Sequence, residues 1–138
     1  MSFSKGARWV VPGLVLSGLL LAAAPSADPS KAESLGKARY EAAQKQFDET
    51  WAYYKQARID SYQVYVWSRM LLDCRREMSP KPADRIAALE EHLARMKKLE
   101  GLVTRVRRIG FGRSYDVGAA LYYRLECEHW IELERAKK

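Results

Sequence analysis

The sequence is poor in the residues that build disulfide frameworks and β-hairpins. Its 138 residues include only two cysteines, Cys74 and Cys127, which are too few for a disulfide scaffold. It contains no Asn-Gly or Asp-Gly pair, and no stretch of useful length alternates apolar with polar residues. Hairpins of β-strands are therefore not expected, and the chain is predicted to fold as helices around an apolar core.

Signatures of common enzyme chemistry are also missing. There is no Cys-x-x-Cys-His motif for haem attachment, and Gly110-Phe111-Gly112 lacks the preceding strand and the third glycine of a dinucleotide-binding loop. Neither cysteine has a histidine and a carboxylate that the sequence would place beside it, as a cysteine nucleophile requires. We therefore predict that the protein is not an enzyme and holds no cofactor.

The N-terminal segment has the pattern of a secretory signal peptide. Lys5 and Arg8 precede an apolar run over residues 9–24, which matches the charged and apolar regions of such peptides. A membrane span needs roughly 20 apolar residues, so this shorter run favours cleavage. We predict a signal peptide over residues 1–26, with a cut after Ala27 and an uncleaved N-terminal anchor as the alternatives, and a periplasmic or secreted location.

The charge balance gives little reason to expect a nucleic-acid partner. The full chain carries a net charge of +7, and Lys5 and Arg8 are the only charged residues before residue 27. The mature chain would keep 22 basic residues against 17 acidic ones, a net charge of +5. Because the two signs are interleaved along every predicted helix, we expect no nucleic acid; a contact with anionic lipid or polysaccharide stays open.

The first two predicted helices follow a short polar lead over residues 27–34 and begin the helical domain, 35–138. Tyr40, Phe47 and Tyr54 recur every seven residues, which predicts an amphipathic helix from Leu35 to Arg58. Asp60 and Gln63 have the spacing of a capping box, which predicts the start of a second helix. That helix should end at Ser79-Pro80-Lys81-Pro82, because proline does not fit a helix interior.

Two more helices are predicted after this break. The third runs from Pro82 to Ile109, with Gly110 suited to the position after its end. The arginines of its last turn complement the negative end of the helix dipole: Arg105, Arg107 and Arg108. The fourth runs from Ser114, its expected N-cap, to Ala136. Because it is apolar on more than one side, it should contact more than one neighbour, including another subunit.

An internal echo links the second and fourth helices. Ser61-Tyr62-Gln63-Val64 and Ser114-Tyr115-Asp116-Val117 stand 53 positions apart, and Cys74 and Cys127 keep the same spacing. We predict an all-α fold of four antiparallel helices, arranged as two helical hairpins in an up-down-up-down bundle. The second and fourth helices are diagonal in such a bundle, so two buried thiols are expected rather than a disulfide.

A metal site is weighed at one place. Glu126 and His129 have the Glu-x-x-His spacing of carboxylate-bridged di-metal bundles, which need this spacing on two helices. The other histidine, His92, has Leu89 at the matching position, so the second half is absent. We predict no metal site, and Glu126 and His129 are the only candidate ligands.

Residues 110–133 resemble the helical-hairpin repeat of the outer-membrane efflux family, the TolC-like proteins. The likeness rests on the Gly110-Phe111-Gly112 turn, the Asp116-Val117 helix start and the Ala, Leu and Glu residues that follow; residues 57–74 are similar more loosely. The resemblance implies duplicated helical hairpins in a cell envelope. The chain lacks the membrane strands and long helices of those channels, so no transport residue can be carried over.

The aromatic content indicates association. Tyrosine and tryptophan are favoured where a side chain is half buried and half wet, as in protein interfaces, and the chain has eight tyrosines and four tryptophans. We expect an exported, non-enzymatic helical protein that acts by protein–protein association, with itself or with a component of the cell envelope. The alternative is a chaperone-like or metal- or ligand-binding bundle.

Overall fold

The structure, a computed structural model, describes residues 28–137 and is all-α over that range. Four helices follow one another: α1 (Pro29–Lys55), α2 (Ser61–Met78), α3 (Pro82–Arg108) and α4 (Ser114–Ala136). Connections of three to five residues make successive helices antiparallel. The predicted signal peptide and Lys138 lie outside the described residues. Within the described range, no helix has the length and apolar character needed to cross a membrane.

Helix α1 begins six residues earlier than the sequence pattern predicted. Residues 29–34, expected to form a flexible lead, are helical. The side chain of Asp28 accepts a hydrogen bond from the backbone N–H of Ser30 at 2.9 Å, and Pro29 occupies the first turn. Proline there loses no hydrogen bond and has its φ preset for a helix, so this Asp-Pro pair starts the helix.

The predicted break between α1 and α2 and the stop after α2 are confirmed. The Asp60 side chain accepts from the backbone N–H of Gln63 at 3.2 Å, as expected of an N-cap. Helix α2 ends at Met78; Pro80 lies within the three-residue connection that follows, and Pro82 is the first residue of α3. The helix boundaries here are set by local chemistry that is visible in the sequence.

Helix α4 starts differently from the prediction. Arg113, not Ser114, is the N-cap residue, and its side chain makes no capping hydrogen bond. Ser114 is already the first helical residue, because the extended backbone of the N-cap falls on Arg113. Asp116 lies in the first turn as expected and accepts from the Arg113 side chain at 3.2 Å, which places a carboxylate at the positive end of the helix dipole.

The 53-residue repeat covers the whole of both hairpins. Helices α1 and α3 each have 27 residues, begin at a proline and end 53 positions apart. Helices α2 and α4 begin 53 positions apart, and both interhelical loops have five residues. The two starts also lie at the same end of the molecule, since Ser61 Oγ and Asp116 Oδ1 are 3.5 Å apart. The predicted use of one helical hairpin twice is therefore a property of the backbone.

Both hairpin loops close their first helix with the same hydrogen-bond pattern. After α1, the N–H groups of Ala57 and Arg58 donate to the carbonyls of Tyr54 and Tyr53 at 2.9 and 3.1 Å. After α3, Gly110 and Phe111 donate to Arg107 and Val106 at 3.1 Å each. This is the Schellman motif, whose central residue takes a positive φ. That residue is Gly110 (φ 87°) in one loop and Ala57 (φ 56°) in the other.

Replacing Ala57 by glycine is expected to raise the free energy of unfolding by about 0.5–1 kcal/mol, because an L-residue with a side chain is strained at positive φ. Gly110→Ala at the equivalent position is the matched control and should lower it by a similar amount. A Cβ added at Gly110 meets nothing within 4 Å, so the backbone alone decides the effect. Urea unfolding of both variants measures it; a loss of stability in Ala57→Gly would contradict the strain.

The helices pack in an open sequence rather than as a closed ring. Helix α1 packs on α2, α2 on α3 and α3 on α4, and α2 also approaches α4. Over residues 28–137, the backbones of α1 and α4 do not pack against each other. Helices α2 and α4 are thus neighbours and not diagonal as expected: the rings of Tyr65 and Tyr123 stack with centroids 4.1 Å apart. The second hairpin covers one side of α2, and α1 covers the other.

Three apolar clusters follow from this order. One, around Val64, Met96 and Tyr123, joins α2 to both helices of the second hairpin, with Phe47 and Trp51 of α1 against it. The second joins Leu72 of α2 to residues of α3 and α4: Ala88, Leu89, Cys127 and Ile131. The third joins α1 to α2 through Ala43, Leu71 and Cys74.

Candidate functional site

Among the four described helices, α4 exposes the most large apolar side chains: Tyr115, Leu121, Tyr122, Leu125 and Leu133. We call the α4 outer face the set of residues Gly118, Leu121, Tyr122 and Leu125, which recur at spacings of three and four. The three large side chains are exposed by 40%, 59% and 48%, and Leu133 continues the stripe towards the C-terminus. A soluble helix normally turns such a stripe towards a partner. No other described helix packs over this stripe, since its large side chains remain exposed.

A groove runs between the N-terminal half of α1 and the C-terminal end of α2. Its volume is about 1010 Å³. We call it the α1–α2 groove. Its lining includes Leu35, Gly36, Cys74 and Met78. Leu35 and Met78 are exposed large apolar side chains, whereas Cys74 is buried at the floor. Arg39 and Glu77 form an ion pair at its edge. The groove can accept an apolar side chain of a partner.

A buried polar network joins the two hairpins. The Nε of Arg95 donates to Ser68 Oγ at 2.7 Å, and Ser68 Oγ lies 2.7 Å from Nδ1 of His92. The serine oxygen accepts from Arg95, and the direction of its second hydrogen bond depends on which nitrogen of the neutral His92 ring carries the proton. Ser68 and His92 are both fully buried. Nε2 of His92 has no hydrogen-bond partner among the described residues.

Burial and neighbouring charges keep His92 neutral. Burial, together with the positive charges of Arg95 and Arg69, lowers the pKa of His92 from its ordinary value of 6.5 to about 3. Burial also lowers the pKa of Arg95. No carboxylate among residues 28–137 lies within ion-pair distance of the Arg95 guanidinium. The network is therefore one fixed cation beside a neutral imidazole.

The contact between Ser68 and His92 has the distance of a nucleophile and its base, but its setting is structural. Both side chains are out of reach of a substrate, because neither exposes any surface. A base must have a pKa near the working pH, and His92 is far below that range. The Trp130 ring is stacked near the His92 ring and the Tyr65 ring is tilted against it, with centroids 6.3 and 6.1 Å away. The network holds α2 against the second hairpin.

The two candidate metal ligands are held by different surroundings. Glu126 accepts hydrogen bonds from the hydroxyls of Tyr65 at 2.7 Å and Tyr122 at 3.0 Å. Burial and the Glu126 contact raise the pKa of Tyr65 to about 12. His129 is exposed, three residues further along α4. In the part of the chain that the structure describes, no three metal-ligating side chains come together.

The two cysteines are buried and free, as the sequence predicted. Cys127 donates a weak hydrogen bond to the Leu89 carbonyl at 3.2 Å. Burial raises the pKa of Cys127 to about 11 and that of Cys74 in the same direction. Neither thiol is therefore a ready nucleophile at neutral pH. The cysteines lie in different apolar clusters, on opposite sides of α2.

The loop end of the second hairpin carries exposed arginines and apolar residues. Arg105, Arg107 and Arg108 are exposed in the last turn of α3, where they complement the helix dipole. Ile109 and Phe111 follow them and are also exposed. This end is far from the α1–α2 groove, because the groove lies at the opposite ends of α1 and α2.

Comparisons of the chain with protein-family models, with curated proteins and with solved structures found no match. The geometry of the chain itself must therefore indicate what its surfaces do. Sequence reasoning identified the uneven apolarity of α4 but missed the polar network, whose members come from two helices. The available signal was His92, a polar residue on the same seam as Leu89 and Met96.

Proposed function

We propose that the protein is a non-enzymatic helical protein of the cell envelope that acts by protein–protein association through the α4 outer face. The observation that carries the proposal is the stripe of Leu121, Tyr122 and Leu125, which no helix within residues 28–137 covers. Its spacing of three and four fits the side of another helix, so the partner chemistry is an apolar helical surface.

The positions of the reactive side chains support a non-enzymatic role. Ser68, His92 and Cys127 are fully buried, and His92 is a poor base at neutral pH. Their contacts explain them as parts of the packing between hairpins. Aromatic side chains on the surface, Tyr62, Tyr115 and Tyr122, support association instead.

The proposed location and family relationship come from the sequence. The pattern of residues 1–26 supports export, and the 53-residue repeat of helices and loops supports the resemblance to TolC-like helical hairpins. Both are parts of the proposal. An N-terminal peptide sequence from the envelope fraction tests the export: a mature chain starting near residue 27 is expected.

Leu125→Glu is expected to weaken the association at least tenfold, since docking would bury its charge without a partner. The fold should persist, because Leu125 is about half exposed. The control is Ile109→Glu, an exposed apolar residue in the loop between α3 and α4, outside the α4 outer face. Light scattering after size-exclusion chromatography, together with capture from envelope extract, measures association.

The proposal stands if binding is lost in Leu125→Glu and kept in Ile109→Glu. A wild-type chain that stays monomeric and captures nothing would contradict it. So would a Leu125→Glu variant that associates like the wild type.

A further inference from the structure

We infer that the α4 outer face of one copy of this chain docks into the α1–α2 groove of a second copy, so that copies stack head to tail. The inference rests on the proposed function and names its partner. It comes from the internal repeat: the contact that joins the two hairpins within one chain has an unused counterpart at each end of the molecule.

The α4 outer face is the repeat equivalent of the side of α2 that the second hairpin covers. A shift of 53 positions carries Tyr65, Ser68, Arg69 and Leu72 of α2 onto Gly118, Leu121, Tyr122 and Leu125 of α4. All four α2 residues contact the second hairpin.

Tyr65 stacks on Tyr123, Ser68 bonds to His92, and the Arg69 guanidinium lies 4.0 Å above the centre of the Trp130 ring. Leu72 is fully buried, whereas its equivalent Leu125 is about half exposed. The α4 outer face therefore has the position of a docking surface without its hairpin.

The α1–α2 groove is the repeat equivalent of the place where Leu72 is buried. Leu72 packs against Ala88, Leu89, Cys127 and Ile131. The same shift carries these four residues back onto Leu35, Gly36, Cys74 and Met78, all of which line the groove. Two of the four, Leu35 and Met78, are large apolar side chains exposed to solvent. The first hairpin thus presents the receiving half of the contact, and no residue of 28–137 occupies it.

The groove has room for a leucine because Gly36 stands where the second hairpin has Leu89. A Cβ added at Gly36 would meet the nearest side-chain atom, Met78 Cγ, only at 3.9 Å. In the stacked pair, Leu125 would take the place of Leu72 among Leu35, Gly36 and Met78. Each copy brings one α4 outer face and one groove, so the surfaces match in number as well as in chemistry.

A contact of this kind is heterologous, because the two copies use different surfaces. Heterologous contacts build closed rings, or open chains with one free surface at each end, rather than a closed pair. The expected behaviour is a series of oligomers that lengthens with concentration, as in arrays of helical repeats. Capping by a polar surface, which ends such arrays, is missing at α4.

The test uses the full chain, expressed with its own N-terminal segment and kept in mild detergent. Leu125→Glu removes the α4 outer face, and Leu35→Glu places a charge in the groove; both residues are exposed, so both variants should fold, which a thermal melt checks. Sedimentation should show concentration-dependent oligomers for the wild type and for Ile109→Glu. Each of the two single variants should associate at least tenfold more weakly.

The decisive sample is an equal mixture of Leu125→Glu and Leu35→Glu. It should form a dimer and nothing longer, since only the intact α4 outer face of one and the intact groove of the other remain. Association of Leu35→Glu at wild-type strength, with Leu125→Glu inactive, would overturn the head-to-tail contact and leave the proposed function standing. Wild-type association by Leu125→Glu would overturn both. A monomeric wild type would overturn the stacking, and capture of a second protein would then decide the proposed function.

Discussion

Leu72→Ala is expected to lower the free energy of unfolding by about 3 kcal/mol, as removal of a fully buried leucine from a packed core does. Leu72 has no exposed surface and contacts α3 and α4 at once, through Ala88, Leu89, Cys127 and Ile131. The site cannot collapse easily, because three helices hold its walls. Leu72 is therefore one of the side chains that hold the two hairpins together.

The repeat supplies a matched control for that loss. Leu125→Ala changes the same residue type at the equivalent position of α4, where about half of the side chain is exposed. We expect it to cost less than about 0.5 kcal/mol in the monomer, as surface substitutions usually do. Urea unfolding at low protein concentration measures both variants. Equal losses in the two would show that the monomer already buries Leu125.

The fold class could be predicted from the sequence because its signals are local. Asp60, Pro80, Pro82 and Gly110 each act on the backbone within a few residues, and the structure places a helix boundary at each. The missed boundary at Pro29 has a local reason too. Small polar residues were interpreted as a flexible lead, although an Asp-Pro pair is also a helix start.

The extent of the repeat could not be predicted, since burial repeats where residue identity does not. Position 43 is alanine and position 96 methionine, yet both are buried 53 residues apart. Thr50 and Val103 form a second such pair. At these equivalent positions of α1 and α3, burial is the same although the residue types differ. Only helix bounds and exposure, which need the folded chain, reveal it.

The arrangement of the helices depends on long-range contacts. Four amphipathic helices fit a closed bundle as well as an open sequence of hairpins, and no single residue of α1 decides between them. The stacked rings of Tyr65 and Tyr123 and the buried Ser68–His92 contact place the second hairpin beside α2. These contacts join residues far apart in sequence. That placement leaves the α4 outer face, which is the candidate site, uncovered.

The wild-type protein is expected to lose about 2 kcal/mol of stability between pH 7 and pH 5 through His92 alone. Its pKa is about 3 in the folded chain against an ordinary value of 6.5. Below pH 6.5 the unfolded chain binds a proton at His92 that the folded chain does not bind. The free energy of unfolding therefore falls by about 1.4 kcal/mol per pH unit. The effect is absent well above pH 6.5 and grows until the folded pKa is reached.

The variant His92→Gln separates the contribution of His92 to the pH dependence of stability from that of all other titrating groups. Glutamine cannot be protonated but can accept from Ser68 through its carbonyl oxygen, so the contact between α2 and α3 has a substitute. The variant should be less stable than the wild type at pH 7, because the ring contacts with Tyr65 and Trp130 are lost. The loss of stability from pH 7 to pH 5 should be about 2 kcal/mol smaller in the variant than in the wild type. Urea unfolding of both proteins at the two pH values measures the difference. The same pH dependence in both would mean that His92 is protonated in the folded chain, and that Arg95 and Arg69 do not keep the site neutral.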